Sequence, residues 1–205
     1  MPKALAMVQI TRFLNHRWLL WGLFALPAIP MLALLVGEPA SAGDLIHPSG
    51  EFSARFMIAA MMATPLHMIW PKAVWTRWLV RHRRALGVAA FGYAALHILL
   101  YLVDMETLRN VLAEVWALSI WTGWAAFALF IPLAVTSNDA LQRRIAKAWR
   151  ALHRWVYVAA VLTLVHWIFI QNNIGAALVH FVPLAALEIY RIAKNLANRR
   201  KALAA

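Results

Sequence analysis

The chain has no cysteine among its 205 residues. It therefore forms no disulfide, no thiolate-ligated iron-sulfur cluster and no covalent haem through a C-x-x-C-H motif, so any redox metal must rely on other side chains. Carboxylates are scarce too, with 8 Asp+Glu against 20 Lys+Arg. Neither G-x-G-x-x-G nor G-x-x-x-x-G-K-[ST] occurs, and no strands alternate with helices, so the chain alone is not expected to take hydride from NAD(P)H. Long polar stretches are also missing, which leaves no room for a soluble domain.

Apolar residues dominate instead, at 63% of the chain, with a mean hydropathy of +0.66 and a pI near 11.3. In a soluble protein the formal charge of +12 would suggest nucleic-acid binding. Here too little polar surface remains for a soluble domain, and bilayer topology explains the basic excess, so no nucleic-acid partner is expected. The partner implied is the lipid bilayer itself.

Six apolar runs, at about 18–36, 52–70, 85–103, 116–135, 151–170 and 175–192, each approach the roughly 20 residues that cross a bilayer. Residues 1–205 read as one all-α integral membrane domain, a bundle of six transmembrane helices. Breakers such as Gly37, Pro39, Gly43 and Pro71 fall between the runs. The first run resembles a secretory leader with Ala40, Ser41 and Ala42 at its end, but it is longer than a usual signal core and reads as a span. With six spans, 18 of the 20 basic residues fall on one side, including Lys3, Arg12 and Arg17 at the start and Arg191 to Lys201 at the end; only Arg55 and Arg109 fall on the other. The positive-inside rule then makes both termini cytoplasmic.

Eight histidines punctuate this apolar background. His97 lies about 13 residues into the third run and His166 about 15 into the fifth, so both sit about 20 Å from the cytoplasmic boundary at the rise of an α-helix. Spans three and five run parallel, so the two imidazoles can face one another and ligate a haem iron from both sides. His153, His82 and His67 form a second level near the cytoplasmic surface, candidates for another haem. His82 and His97 stand about 60° apart around a helix, whereas His153 and His166 stand about 140° apart, so His153 needs a distorted helix end or another partner. A buried membrane histidine can also serve only an interhelical hydrogen bond. His180 has no evident partner, and His16 and His47 read as interfacial and loop residues.

The stretch from Arg83-Arg84-Ala85-Leu86-Gly87 through Phe91, Tyr93, Ala94, Leu96-His97 and Tyr101 resembles a signature of the ferric-reductase-like transmembrane family. Within that family it resembles the bacterial haem-binding subunits of methionine sulfoxide reductase systems. Gly50, Arg55 and Thr64-Pro65-Leu66 resemble a second block, Pro132-Leu133-Ala134 with Thr136-Ser137 a third, and Trp149, Leu152-His153-Arg154, Tyr157 and His166 a fourth. The resemblance spans residues 50 to 170 and implies a ferric-reductase-like bundle that binds noncovalent haem b, one or two per chain. It also implies passage of electrons from a cytosolic flavin reductase or the quinol pool, with FMN or quinol as further cofactors, to a periplasmic molybdopterin reductase subunit that repairs oxidised methionine. Carried over by position, His97, His153 and His166 are the implied haem ligands. The segment entering the fourth run, Ala117 to Gly123, departs from the family's usual stretch, and His82 stands outside its signature.

Arg55 is the basic residue at the outward mouth of the second run, where a haem propionate, Glu51 or a lipid phosphate would each satisfy it. Arg83, Arg84, Arg150 and Arg154 suit inner-haem propionates, a flavin phosphate or anionic lipid. The expected protein is an electron-transfer haem subunit without substrate catalysis of its own. The alternatives are a ferric-reducing or quinol-oxidising cytochrome b with another acceptor, and a haem-free transporter or assembly factor.

Overall fold

The computed structural model describes residues 17–37, 40–171 and 173–204; Lys3, Arg12, His16 and Pro39 lie outside them. The first expected span is two helices, α1 (Arg17–Ala25) and α2 (Ala28–Val36), bent by 54°. Leu26 still donates its N–H to Gly22 O at 3.0 Å, but Pro27 has no N–H to continue the ladder, and its ring crowds the carbonyl four residues back.

The second span begins ten residues earlier than the hydropathy suggests. Helix α3 covers Ala42–Ile69 and opens with a capping box, in which Ser41 Oγ accepts from Asp44 N and the Asp44 carboxylate accepts from Ser41 N. These bonds satisfy orphan N–H groups and let the helix start in polar sequence. As a result Gly43, His47, Gly50 and Glu51 lie on a helix rather than in a loop.

Helix α4 (Val74–Asp104) likewise starts before its apolar run and takes in the basic stretch around Arg81 to Arg84. A short helix, α5 (Leu108–Glu114), capped by Thr107, precedes α6 (Leu118–Val135). The expected fifth span is preceded by α7 (Asp139–Leu152), which is broken at Ala146 by non-helical backbone and interleaves the apolar Leu141, Ile145, Trp149 and Leu152 with basic residues, the composition of a segment lying along an interface. A 3-10 turn over His153–Trp155 then leads into α8 (Val156–Gln171), placing the helix distortion at His153. Helix α9 (Ile174–Ala204) carries the sixth run and the basic tail as one continuous helix.

Among the described residues, five helices are long and apolar enough to cross a membrane, or six if α1 and α2 form one broken span. Large apolar side chains such as Val103, Val161, Val179 and Ile189 face outward with more than half their surface exposed, a surface that only lipid tolerates over such an extent. Inside, α3 packs along α4 and α6 along α8, with α9 crossing back onto α3. Buried Ala54, Ala90, Ala159, Ala160 and Ala177 lie in these contacts, where small residues let helix backbones approach closely. Ser53 Oγ donates to Ala90 O at 2.9 Å and ties α3 to α4.

Candidate functional site: two cavities inside a four-helix ring

Helices α3, α4, α6 and α8 enclose two cavities stacked along the bundle. One, of about 280 Å³, is lined by residues from the start of α3, the end of α4, the start of α6 and the end of α8; the other, of about 440 Å³, uses the opposite ends together with α7 and Arg191 of α9. Phe130 lines both; with the first named the outer cavity and the second, on the side expected to be cytoplasmic, the inner, Phe91 of the inner cavity stacks on Phe127 of the outer at 5.8 Å.

His97 of α4 and His166 of α8 meet in the outer cavity, with ring centroids 6.0 Å apart and planes at 86°. The matched depth expected from helix rise is therefore a direct juxtaposition. Each ring is oriented by the backbone of a neighbouring helix: His97 Nδ1 lies 2.8 Å from Ile46 O and His166 Nδ1 lies 2.5 Å from Ser119 O. A carbonyl oxygen can only accept, so Nδ1 carries the hydrogen in both rings and each Nε2 keeps its lone pair. Histidines that ligate metals are commonly oriented in this way, by a hydrogen bond from the ring nitrogen that does not meet the metal.

Two glycines make room for these rings. A Cβ at Gly50 would stand 3.0 Å from His97 Nδ1 and Cε1, and one at Gly123 would stand 2.7 Å from His166 Nδ1. Among the described residues no group of three or more His, Cys, Asp or Glu gathers for a bare ion. Two imidazoles are an incomplete set for a bare ion, but a pair of nitrogen donors would suit a haem iron, whose macrocycle supplies its other ligands. Residues and group fit.

The mouth of the outer cavity was not legible in the sequence. His47, expected in a loop, stands on α3 and lines the cavity with Glu51, Asp104 and Gln171; Gln171 Nε2 lies 2.7 Å from His47 Nδ1 and Glu51 lies 3.7 Å from His47 Nε2. The recurrence of Gly43, His47, Gly50 and Glu51 at helical spacing was the available signal, obscured once the span was begun at residue 52. Arg55 lies beside this mouth without lining it, held 3.0 Å from Glu51 and donating from Nε to His180 Nε2 at 3.3 Å. His180 thus has partners after all, including Ala176 O and the Trp167 ring.

The inner cavity combines an apolar floor with Arg81, Arg83, Arg84, Arg150, Arg154 and Arg191. Arg84 is ion-paired to Asp139 and hydrogen-bonded to Gln142, which ties α4 to α7. His153 lines this cavity, stacked on Trp149 at 3.9 Å with Nε2 at 3.1 Å from Thr136 Oγ1. No second histidine among the described residues joins it there. His67 lies against Thr76 at 3.1 Å and His82 against the Trp78 ring at 4.8 Å, and neither lines either of these two cavities.

Comparison with known proteins follows the same residues. The model of the ferric reductase like transmembrane component matches residues 49–164. The chain is 31% identical to the protein-methionine-sulfoxide reductase heme-binding subunit MsrQ of Xanthomonas euvesicatoria pv. vesicatoria over 77% of this chain and 72% of that protein. It is 31% identical to the subunit of the same name from Brucella anthropi over 90% of this chain and 86% of the relative, and 32% identical to that of Xanthomonas campestris pv. campestris over 77% and 72%. No solved structure matches. Matched through the segments that carry both cavities, the chain belongs to the ferric-reductase-like transmembrane family and, within it, to the MsrQ heme-binding subunits, multi-pass proteins of the bacterial inner membrane.

Proposed function

We propose that this chain is a membrane b-type cytochrome that relays electrons from a cytosolic flavin reductase or quinol to a periplasmic molybdopterin protein-methionine-sulfoxide reductase. The observation that carries the reading is the paired orientation of His97 and His166, both with Nε2 free at one cavity. His97 and His166 would hold the haem of the outer cavity, and His153, with Arg84 and Arg154 nearby, a second haem or a flavin in the inner one. A bound haem supplies a one-electron couple at iron. The protein's own work is to orient the imidazoles, exclude water with an apolar wall and set Phe127, Phe130 and Phe91 between the cavities. Reduction of the sulfoxide belongs to the partner.

The test is anaerobic mixing of dithionite-reduced protein with the molybdopterin reductase and methionine sulfoxide. Reoxidation of the haem bands on mixing is expected, and reduction of the oxidised protein by NADPH with flavin reductase, or by quinol, identifies the donor. Reoxidation by ferric chelates but not by the reductase would favour the ferric-reducing alternative, and colourless protein from haem-replete cells the transporter reading.

The reading also places six spans with both termini in the cytoplasm, α1 and α2 forming one broken span. Because the chain has no cysteine, single replacements report topology without background. Arg109→Cys is expected to react with an impermeant maleimide on intact spheroplasts, and Lys201→Cys only after permeabilisation; the reverse pattern would invert the topology and the direction of electron flow.

A further inference from the structure

The outer cavity poses an electrostatic problem for the ligand assigned to it. Haem b carries two propionates, yet this cavity's mouth bears the carboxylates Glu51 and Asp104, and among the described residues no Lys or Arg lines it. Arg55 is already committed to Glu51 and His180. The inner cavity is the opposite case, with six arginines. Apart from His47, which is already engaged by Gln171 and Glu51 at the mouth, only neutral donors of this cavity could receive a propionate.

The cavity wall contains one that is unused. Tyr101 Oη is buried and has no hydrogen-bond partner, and Tyr101 lines the cavity. It lies four residues beyond His97 on α4, one turn along the same face, with its ring edge-on to Trp124 at 6.3 Å. Buried hydroxyls are nearly always paired, because one with nothing to donate to forfeits its hydration. A second buried unpaired donor, Trp167 Nε1, also belongs to a lining residue, but its indole packs on His180 and Phe181 of α9.

We infer that Tyr101 donates its phenolic hydrogen to a propionate oxygen of the haem held by His97 and His166, in the place a cation usually takes. Hydrogen bonds to a charged acceptor are roughly twice as strong as neutral ones. Tyr101 is thus a positioning residue that sets which edge of the porphyrin faces the mouth. This inference rests on the haem reading of the preceding subsection.

The experiment compares full-length wild type and Tyr101→Phe, each loaded with haem b or with its dimethyl ester, and follows haem transfer to excess apomyoglobin. Phenylalanine keeps the ring against Trp124, so the low-spin spectrum is expected to persist while haem b is lost about tenfold faster. Esterifying the propionates is expected to accelerate loss from wild type by a similar factor and to leave Tyr101→Phe nearly unchanged. Loss of haem b from Tyr101→Phe at the wild-type rate, or an equal effect of esterification on both proteins, would overturn the inference, with water as the phenol's partner. Wild type that takes up no haem would instead sink the reading beneath it.

Discussion

Replacing His97 or His166 with alanine is expected to abolish the low-spin b-type spectrum of the outer site, lowering its affinity for haem by more than about a hundredfold. Loss of a residue that merely supports a metal ligand costs about 10–100-fold, and each of these rings is proposed as a ligand itself. Both rings lie in one cavity 6.0 Å apart, so the two variants should share a phenotype even though they sit on α4 and α8. The check is oxidised and reduced visible spectra with haem counted per chain. Haem remaining in His97→Ala is expected to be that of the inner cavity and to disappear when His153→Ala is added. Unaltered spectra in both single variants would remove this pair from haem binding and with it the proposed relay.

The second large effect is expected at a residue with no functional group. Gly123→Ala would place a methyl 2.7 Å from Nδ1 and 2.8 Å from Cε1 of His166, inside van der Waals contact, on a ring held to Ser119 O. One of them has to move. Helix propensity alone favours alanine over glycine by about 1 kcal/mol in a helix interior, so any loss reflects displacement of the ring. We expect Gly123→Ala to match His166→Ala in losing the low-spin spectrum while the chain still folds and inserts. Gly50→Ala, at 3.0 Å from His97, should lose only part of its haem, and Gly92→Ala, where nothing lies within 4 Å, should keep all of it. Equal haem content in Gly123→Ala and Gly92→Ala would show that the cradle around His166 is not tight.

Much of the site was legible before any folding was considered, and the parts that were not share a cause. The depths of His97 and His166 follow from counting residues along apolar runs, because helix rise is constant. His153 was readable as a residue needing a distorted helix end, and a 3-10 turn stands there. His67 and His82 share its level, yet their rings are taken up by Thr76 and Trp78 instead. Depth is a property of one helix, whereas facing depends on rotation against its neighbours. His47, Glu51 and Gly50 were obscured because hydropathy marks where lipid contact begins, while the capping box at Ser41 and Asp44 decides where the helix begins.

The sequence by itself determined the membrane class, the approximate place of each apolar run, the restriction to non-thiolate ligands and the level of the histidine pair. Each depends on composition or on the fixed geometry of a single helix. The tertiary structure alone decided that His97 and His166 meet, that His153 faces an arginine-lined cavity without another histidine among the described residues, that Arg55 turns to Glu51 and that Gly50 and Gly123 cradle the rings. Those outcomes depend on how α3, α4, α6 and α8 rotate and cross to bury their small residues, a choice made between helices and recorded in no single run of residues.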